Sequence, residues 1–130
     1  MCVFCDIVEG KIPSKKVYED NEILAILDIS QATKGHTLVI PKKHFNNMLE
    51  TNDETLSKLI VKSKELANKI VNNLNATGFN LLINTNESAG QTVMHTHIHI
   101  LPRYNSGDNI SISFKENKFD MDELIKKINK

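Results

Sequence analysis

Apolar residues recur along this chain at two different periods, and the changes between them mark out its elements. Ile23-Leu24-Ala25-Ile26-Leu27 is a continuous apolar run of strand length, and the pattern carries a strand over residues 23–29. Val17 to Glu19 is its hairpin partner across Asp20-Asn21, a two-residue turn without the glycine that such turns favour. Thr37 to Ile40 reads as a third strand closed by Pro41, and Phe79 to Asn84 as a fourth. Between those two the period lengthens. Leu56, Leu59, Ile60, Ala67, Ile70, Val71 and Leu74 fall at helical spacing, with Lys58, Lys62, Lys64, Glu65 and Lys69 on the polar side. Thr51-Asn52-Asp53-Glu54 has capping-box spacing and places Thr51 at the N-cap of this long helix.

Shorter elements complete the pattern. Cys2 to Glu9 makes a short helix stopped at Gly10, and Val93 to Leu101 a strand stopped by Pro102. Ile110-Ser111-Ile112-Ser113-Phe114 alternates as a further strand, and Asp120 to Asn129 forms a terminal helix on Met121, Leu124, Ile125 and Ile128. Strands outnumber helices, several are sequential, and one helix is long enough to cover a sheet. The expected fold is α+β, a mainly antiparallel sheet under one long helix, in a single domain spanning 1–130.

Composition narrows the function. With 16 basic and 16 acidic residues the net charge is zero, which argues against a general electrostatic grip on nucleic acid but leaves room for a small phosphorylated ligand. No apolar run approaches the ~20 residues of a membrane span, and Met1-Cys2-Val3-Phe4-Cys5 lacks the pattern of a secretory signal. A cytoplasmic protein without membrane or nucleic-acid partners is expected. In such a compartment the two cysteines, Cys2 and Cys5, are better suited to metal or redox chemistry than to a disulfide staple.

All five histidines fall in two short segments, 36–44 and 95–99. His95-Thr96-His97-Ile98-His99 alternates strictly, so on a strand the three imidazoles share one face. One metal cannot easily collect all three, because its ligands must converge at about 2 Å. An exposed polar face is the plainer alternative. Just upstream, Asn84, the loop 86–90 and Gln91-Thr92 offer amide, hydroxyl and glycine backbone donors suited to phosphate oxygens. Cys2-Val3-Phe4-Cys5 can give two thiolates to one ion, a tetrahedral zinc wanting two more ligands; a thiol switch and two inert thiols are the alternatives.

The segment Gln91-Thr92-Val93-Met94-His95-Thr96-His97-Ile98-His99-Ile100-Leu101 resembles the signature of the histidine triad family of nucleotide hydrolases and nucleotidyl transferases. Asp28-Ile29-Ser30-Gln31-Ala32 and Gly35-His36-Thr37-Leu38-Val39-Ile40-Pro41-Lys42-Lys43-His44 extend the resemblance, which weakens after about Ser106. The resemblance implies that His97 is the nucleophile at an α-phosphorus and that His99 supports the phosphate, with His36 nearby as a further catalytic candidate. Gln91 and Thr92 are then expected on phosphate oxygens, Asn84 on phosphate or ribose, Asp28 on ribose hydroxyls, and Ile7 and Ile29 against the base. It also implies one structural zinc per chain on Cys2, Cys5, His44 and His95, a purine (adenosine) nucleotide substrate, and a homodimer. Adenosine phosphoramidates, aminoacyl-adenylates and dinucleoside polyphosphates are the implied substrates. A nucleotide-binding, zinc-stabilised interaction module with incidental activity is the alternative, and a pure metal protein a third reading.

Overall fold

Asp20 closes the first hairpin where a glycine is missing. In the computed structural model, which describes residues 2–130, it joins β1 (Lys16–Glu19) to β2 (Ile23–Leu27). Its Oδ1 accepts from the backbone N–H groups of Glu22 and Ile23 at 2.7 Å each, and its Oδ2 accepts from the Tyr18 hydroxyl at 2.7 Å. An aspartate that bonds amides two and three residues ahead turns the chain without a left-handed residue. With β3 (Thr37–Pro41), β4 (Gly78–Leu82) and β5 (Ile98–Arg103) the strands form one sheet ordered β1-β2-β3-β5-β4, every neighbour antiparallel. The fold is α+β.

Helices on both faces explain why β2 is apolar at successive positions. On one face α2 (Asp53–Leu74) sets Leu59, Leu66, Ala67 and Ile70 against Ile23, Ala25, Val39, Ile98 and Ile100. On the other, Phe4 of α1 (Val3–Val8) covers Leu24, Ile26, Leu38 and Ile40. His99 is opposite Leu38 in the β3–β5 register, so it shares the α1 face while Ile98 and Ile100 lock β5 to α2. The sheet therefore holds the last triad histidine on a rigid strand.

Several expected boundaries move. Strand β2 ends at Leu27, leaving Asp28 and Ile29 in the following loop, and β4 ends at Leu82, before Asn84. The N-cap of α2 is Asn52, whose Oδ1 accepts from Thr55 N–H at 2.8 Å, and not Thr51. The Thr51 hydroxyl is already spent, donating to the Asn47 carbonyl at 2.8 Å and lying 2.7 Å from Thr96 Oγ1 in the core. Pro102 does not stop β5 but sits inside it. The Arg103 carbonyl accepts from Thr77 N–H on the β4 side, so its neighbour Pro102 faces the β3 side, where β3 pairs no further than Ile100 and no ladder donor is needed.

The expected strand at 110–114 is not formed; that segment is irregular and, from 111 to 130, every position is exposed. The terminal helix α3 (Met121–Ile128) does form, because Asp120 caps it, Asp122 and Glu123 occupy its first turn and Lys126 and Lys127 its last. The expected packing face Met121, Leu124, Ile125 and Ile128 nevertheless lies in solvent. Among the described residues no helix is long and apolar enough to cross a membrane.

Candidate active site and metal cluster

The loop between β2 and β3 is folded around Gln31, a residue the sequence reading left without a role. Its Oε1 accepts from Gly35 and His36 N–H at 2.8 and 3.1 Å, and its Nε2 donates to the Asp28 and His36 carbonyls at 2.6 and 2.8 Å. Gly35 must be glycine, since its φ is +92° and a Cβ would lie 2.6 Å from Leu74 Cδ1. The result fixes His36, which is buried, with its Nε2 2.9 Å from His99 Nδ1 and 3.6 Å from Asp28 Oδ2. Its Nδ1 accepts from Ala32 N–H at 3.2 Å.

The three triad histidines do not share one strand. Only His99 lies in β5; the segment carrying His95 and His97 is pulled out of the ladder by other bonds. Thr96 N–H donates to the Phe45 carbonyl at 2.8 Å, His95 N–H to Val93 O at 2.9 Å, and Gln91 Nε2 to Asn46 O at 2.6 Å and Val93 O at 3.1 Å. Two side chains thus turn to one centre and one to another. His97 and His99 keep their ring centroids 4.9 Å apart and line one cavity of ≈ 900 Å³. His95 turns instead toward the N-terminal helix, and the Phe4 ring lies edge-on to both His95 and His97, at 5.9 and 4.9 Å.

His97 Nδ1 lies 2.6 Å from the His95 carbonyl oxygen, which can only accept, so Nδ1 carries the proton and Nε2 keeps a free lone pair. Burial holds His97 and His36 below the usual imidazole range. The same burial, reinforced by the neighbouring His97 and His36, pushes His99 down to about 4. Near neutral pH the cluster is uncharged. The cavity that it floors is walled by Phe4, Ile7, Ile26, Leu27 and Leu38, with Asp28, Gln31 and Thr92 as polar groups.

A second cluster gathers Cys2, Cys5, His44 and His95, whose ligand atoms all lie within 4.8 Å of one another. His95 Nε2 donates to the Pro41 carbonyl at 2.7 Å, and His44 Nε2 to Asn46 Oδ1 at 2.8 Å, so both Nδ1 atoms are bare. These two lone pairs face each other at 3.2 Å, with Cys2 Sγ 3.3 Å from His95 Nδ1 and Cys5 Sγ 3.3 Å from His44 Nδ1. Bonds of about 2.0 Å to nitrogen and 2.3 Å to sulfur give tetrahedron edges of about 3.3–3.8 Å. The donor set fits a tetrahedral cation. Burial, Cys2 and the carboxylates of Glu9 and Asp6 push the Cys5 thiol up to about 11, so paired thiolates here call for a cation.

Thr92, Ile7 and Ile29 line the cavity, Ile29 fully exposed at its mouth. Gln91 is buried with Nε2 committed to two carbonyls and Oε1 accepting from Asn86 N–H at 2.8 Å, so it braces the 85–91 loop and has no amide left for a phosphate. Asn84 also turns to that loop, its Nδ2 3.4 Å from the Gly90 carbonyl.

Known proteins place this arrangement. Residues 9–106 match the family model described as the HIT domain. The chain belongs to the HIT family. This HIT protein is 48% identical over 119 residues to "Protein hit" of Bacillus subtilis, covering 92% of this chain and 82% of that one. It is 43% identical over 102 residues to the adenylylsulfatase HINT3 of Arabidopsis thaliana, covering 78% of this chain and 52% of that one. The crystal structure of a zinc-bound histidine triad family protein from Mycobacterium smegmatis superposes with a TM-score of 0.79 at 41% identity, covering 94% of this chain and 86% of that one. The family thus includes a hydrolase and a metal-bound member.

Proposed function

We propose that this HIT protein is a nucleotide hydrolase or nucleotidyl transferase that works through a covalent nucleotidyl group on His97. The observation that carries the reading is the 2.6 Å hydrogen bond from His97 Nδ1 to the His95 carbonyl, which leaves Nε2 as a neutral nucleophile at the floor of the cavity. In the first step the Nε2 lone pair forms a bond to the α-phosphorus, and the bond from phosphorus to the leaving group breaks with its electron pair. In the second, water attacks the same phosphorus and gives up a proton to solvent, which also protonates a basic leaving group, while the N–P bond breaks and its electron pair returns to Nε2. Transfer to another acceptor differs only in what replaces water. Adenosine phosphoramidates, aminoacyl-adenylates and dinucleoside polyphosphates all present such an α-phosphorus.

The surroundings support the same reading. The apolar wall of Ile7, Ile26, Leu27 and Leu38 suits a purine base, and Asp28, an acceptor-only carboxylate, suits ribose hydroxyls. The Thr92 hydroxyl at the rim can reach a phosphate oxygen. The name of the Arabidopsis relative, an adenylylsulfatase, favours chemistry of this kind. Zinc on Cys2, Cys5, His44 and His95 would supply structure, tying the N-terminal helix to the strand approach and holding the His95 carbonyl that orients His97. A symmetric homodimer in the cytoplasm completes the proposal.

Rapid quenching with an adenosine phosphoramidate, followed by mass analysis of peptides, tests it. A mass increase of one nucleoside monophosphate on His97 is expected. Nucleotide binding with no adduct and no turnover would leave only a binding module.

A further inference from the structure

Among the described residues, one buried side-chain polar atom has no hydrogen-bond partner: the Oγ1 of Thr33, a residue only 5% exposed. A hydroxyl withdrawn from water and left unpaired is costly, so the atom marks a place where another molecule supplies the partner. Thr33 lines a pocket of ≈ 450 Å³ between the β2–β3 loop and the turn after β5, with Lys34, Tyr104, Ser106, Gly107 and Asn109 around it. Only Gln31 is shared with the cavity of His97. Both walls are held in place. The Tyr104 hydroxyl donates to the Lys34 carbonyl at 2.6 Å, and the Lys34 ammonium lies 5.2 Å from the centre of the Tyr104 ring. Arg103 fixes the turn, its Nε donating to Asp108 Oδ2 at 2.8 Å and its Nη2 to the Ile110 carbonyl at 3.3 Å.

The free groups of this pocket are donors. Lys34 has no carboxylate within ion-pair distance among the described residues. The Thr33 and Lys34 carbonyls are taken, by His36 N–H at 3.0 Å and by Tyr104. The N–H groups of Thr33 and Lys34, and those of Ser106, Gly107 and Asn109, donate to no acceptor among the described residues. The one carboxylate on the lining, Asp108, is neutralised by Arg103 and accepts from Tyr104 N–H at 3.0 Å. A cation among unpaired N–H and O–H donors suits an oxyanion. We propose that this pocket binds a terminal phosphate group, with the Thr33 hydroxyl and the Lys34 ammonium as its principal contacts. Its volume leaves room for a small organic body on that phosphate. The proposal rests on none of the chemistry assigned to His97.

Amide ¹H–¹⁵N spectra of the metal-loaded protein, titrated at constant ionic strength with inorganic phosphate and separately with ribose 5-phosphate, test it. The Thr33, Lys34, Gly107 and Asn109 amides should shift and saturate together. Thr33→Val keeps the shape of the side chain and should melt at or above the parent temperature, because it removes an unpaired hydroxyl. Lys34→Gln removes the charge. Each should weaken binding by about 5-fold or more, whereas His97→Gln should leave it unchanged, which separates this pocket from the nucleotide cavity. Tighter binding of ribose 5-phosphate assigns the pocket to phosphate esters, and equal binding to the free ion. Absence of saturable shifts at these amides, or shifts that survive both substitutions, overturns the proposal. So does a Thr33→Val protein that melts well below the parent, which would give the hydroxyl a partner inside the fold.

Discussion

Two imidazole clusters sit on either side of Phe4, built from the same side chain and at similar spacing, yet they do different things. At His44 and His95 both Nε2 atoms donate to oxygen acceptors, so both Nδ1 lone pairs turn inward on two sulfurs, 3.2 Å from each other. At His36 and His99 the inner contact is nitrogen to nitrogen at 2.9 Å, with Ala32 N–H 3.2 Å behind His36, Asp28 Oδ2 3.6 Å from it and no sulfur beside the pair. One cluster has the donor set of a tetrahedral cation, and the other lies in the cavity beside His97. What separates them is the partner of the second ring nitrogen, a feature invisible in a count of histidines.

The comparison breaks most sharply at His97, which belongs to neither pair but takes its orientation from His95. His97→Gln should abolish the nucleotidyl adduct and lower turnover by ~10³-fold or more, while metal content and melting temperature stay near the parent. Chemistry carried by the metal cluster would show the reverse pattern. Replacing Cys2 and Cys5 together by Ala should remove about one zinc per chain by elemental analysis and cost roughly 3 kcal/mol, or about 10 °C in melting temperature. The folded fraction should still form the adduct.

Acid should weaken the imidazole clusters in a defined direction. His36, His95, His97 and His99 all have folded pKa values below the ordinary imidazole range, so between pH ~6.5 and ~4 the unfolded chain binds more protons than the folded one. The stability they contribute is present above pH ~6.5 and is lost as pH falls toward about 4 at His99. Urea titrations of metal-stripped protein across that window should show the loss, and His99→Gln should flatten part of the slope. A stability that rises on acidification would contradict the buried neutral ring. The smallest effect tests the loop beneath His36. Gly35→Ala, forced into φ +92° against Leu74, should cost about 1–3 kcal/mol. Its adduct formation should fall while its zinc content stays at one, because the loop touches only the chemical cluster.

The strands β1 to β4, the long helix and the existence of α3 were legible in residue order, since period and local caps act over a few residues. The grouping of Cys2, Cys5, His44 and His95, and of His97 with Asp28, came from the family resemblance and not from periodicity; the structure sets each group of side chains near one another. At three positions a competing hydrogen bond from a distant segment intervened. Thr96 drawn to Phe45 ended the ladder before His97, Thr51 joined to Thr96 surrendered the cap to Asn52, and Gln91 turned into a loop brace. The alternation of the triad suggested one face, whereas the fold sends His95 to one centre and His97 with His99 to another.

Residue order by itself determined which side chains are available and, through their periodicity, which strands and helices carry them. The direction of each hydrogen bond was decided only in three dimensions: whether a carbonyl from β3 or an amide from the β2–β3 loop meets the far nitrogen of an imidazole. An imidazole has one proton for two nitrogens, so the carbonyl or amide that the fold brings to one of them, as the Pro41 carbonyl to His95, sets which nitrogen keeps its lone pair.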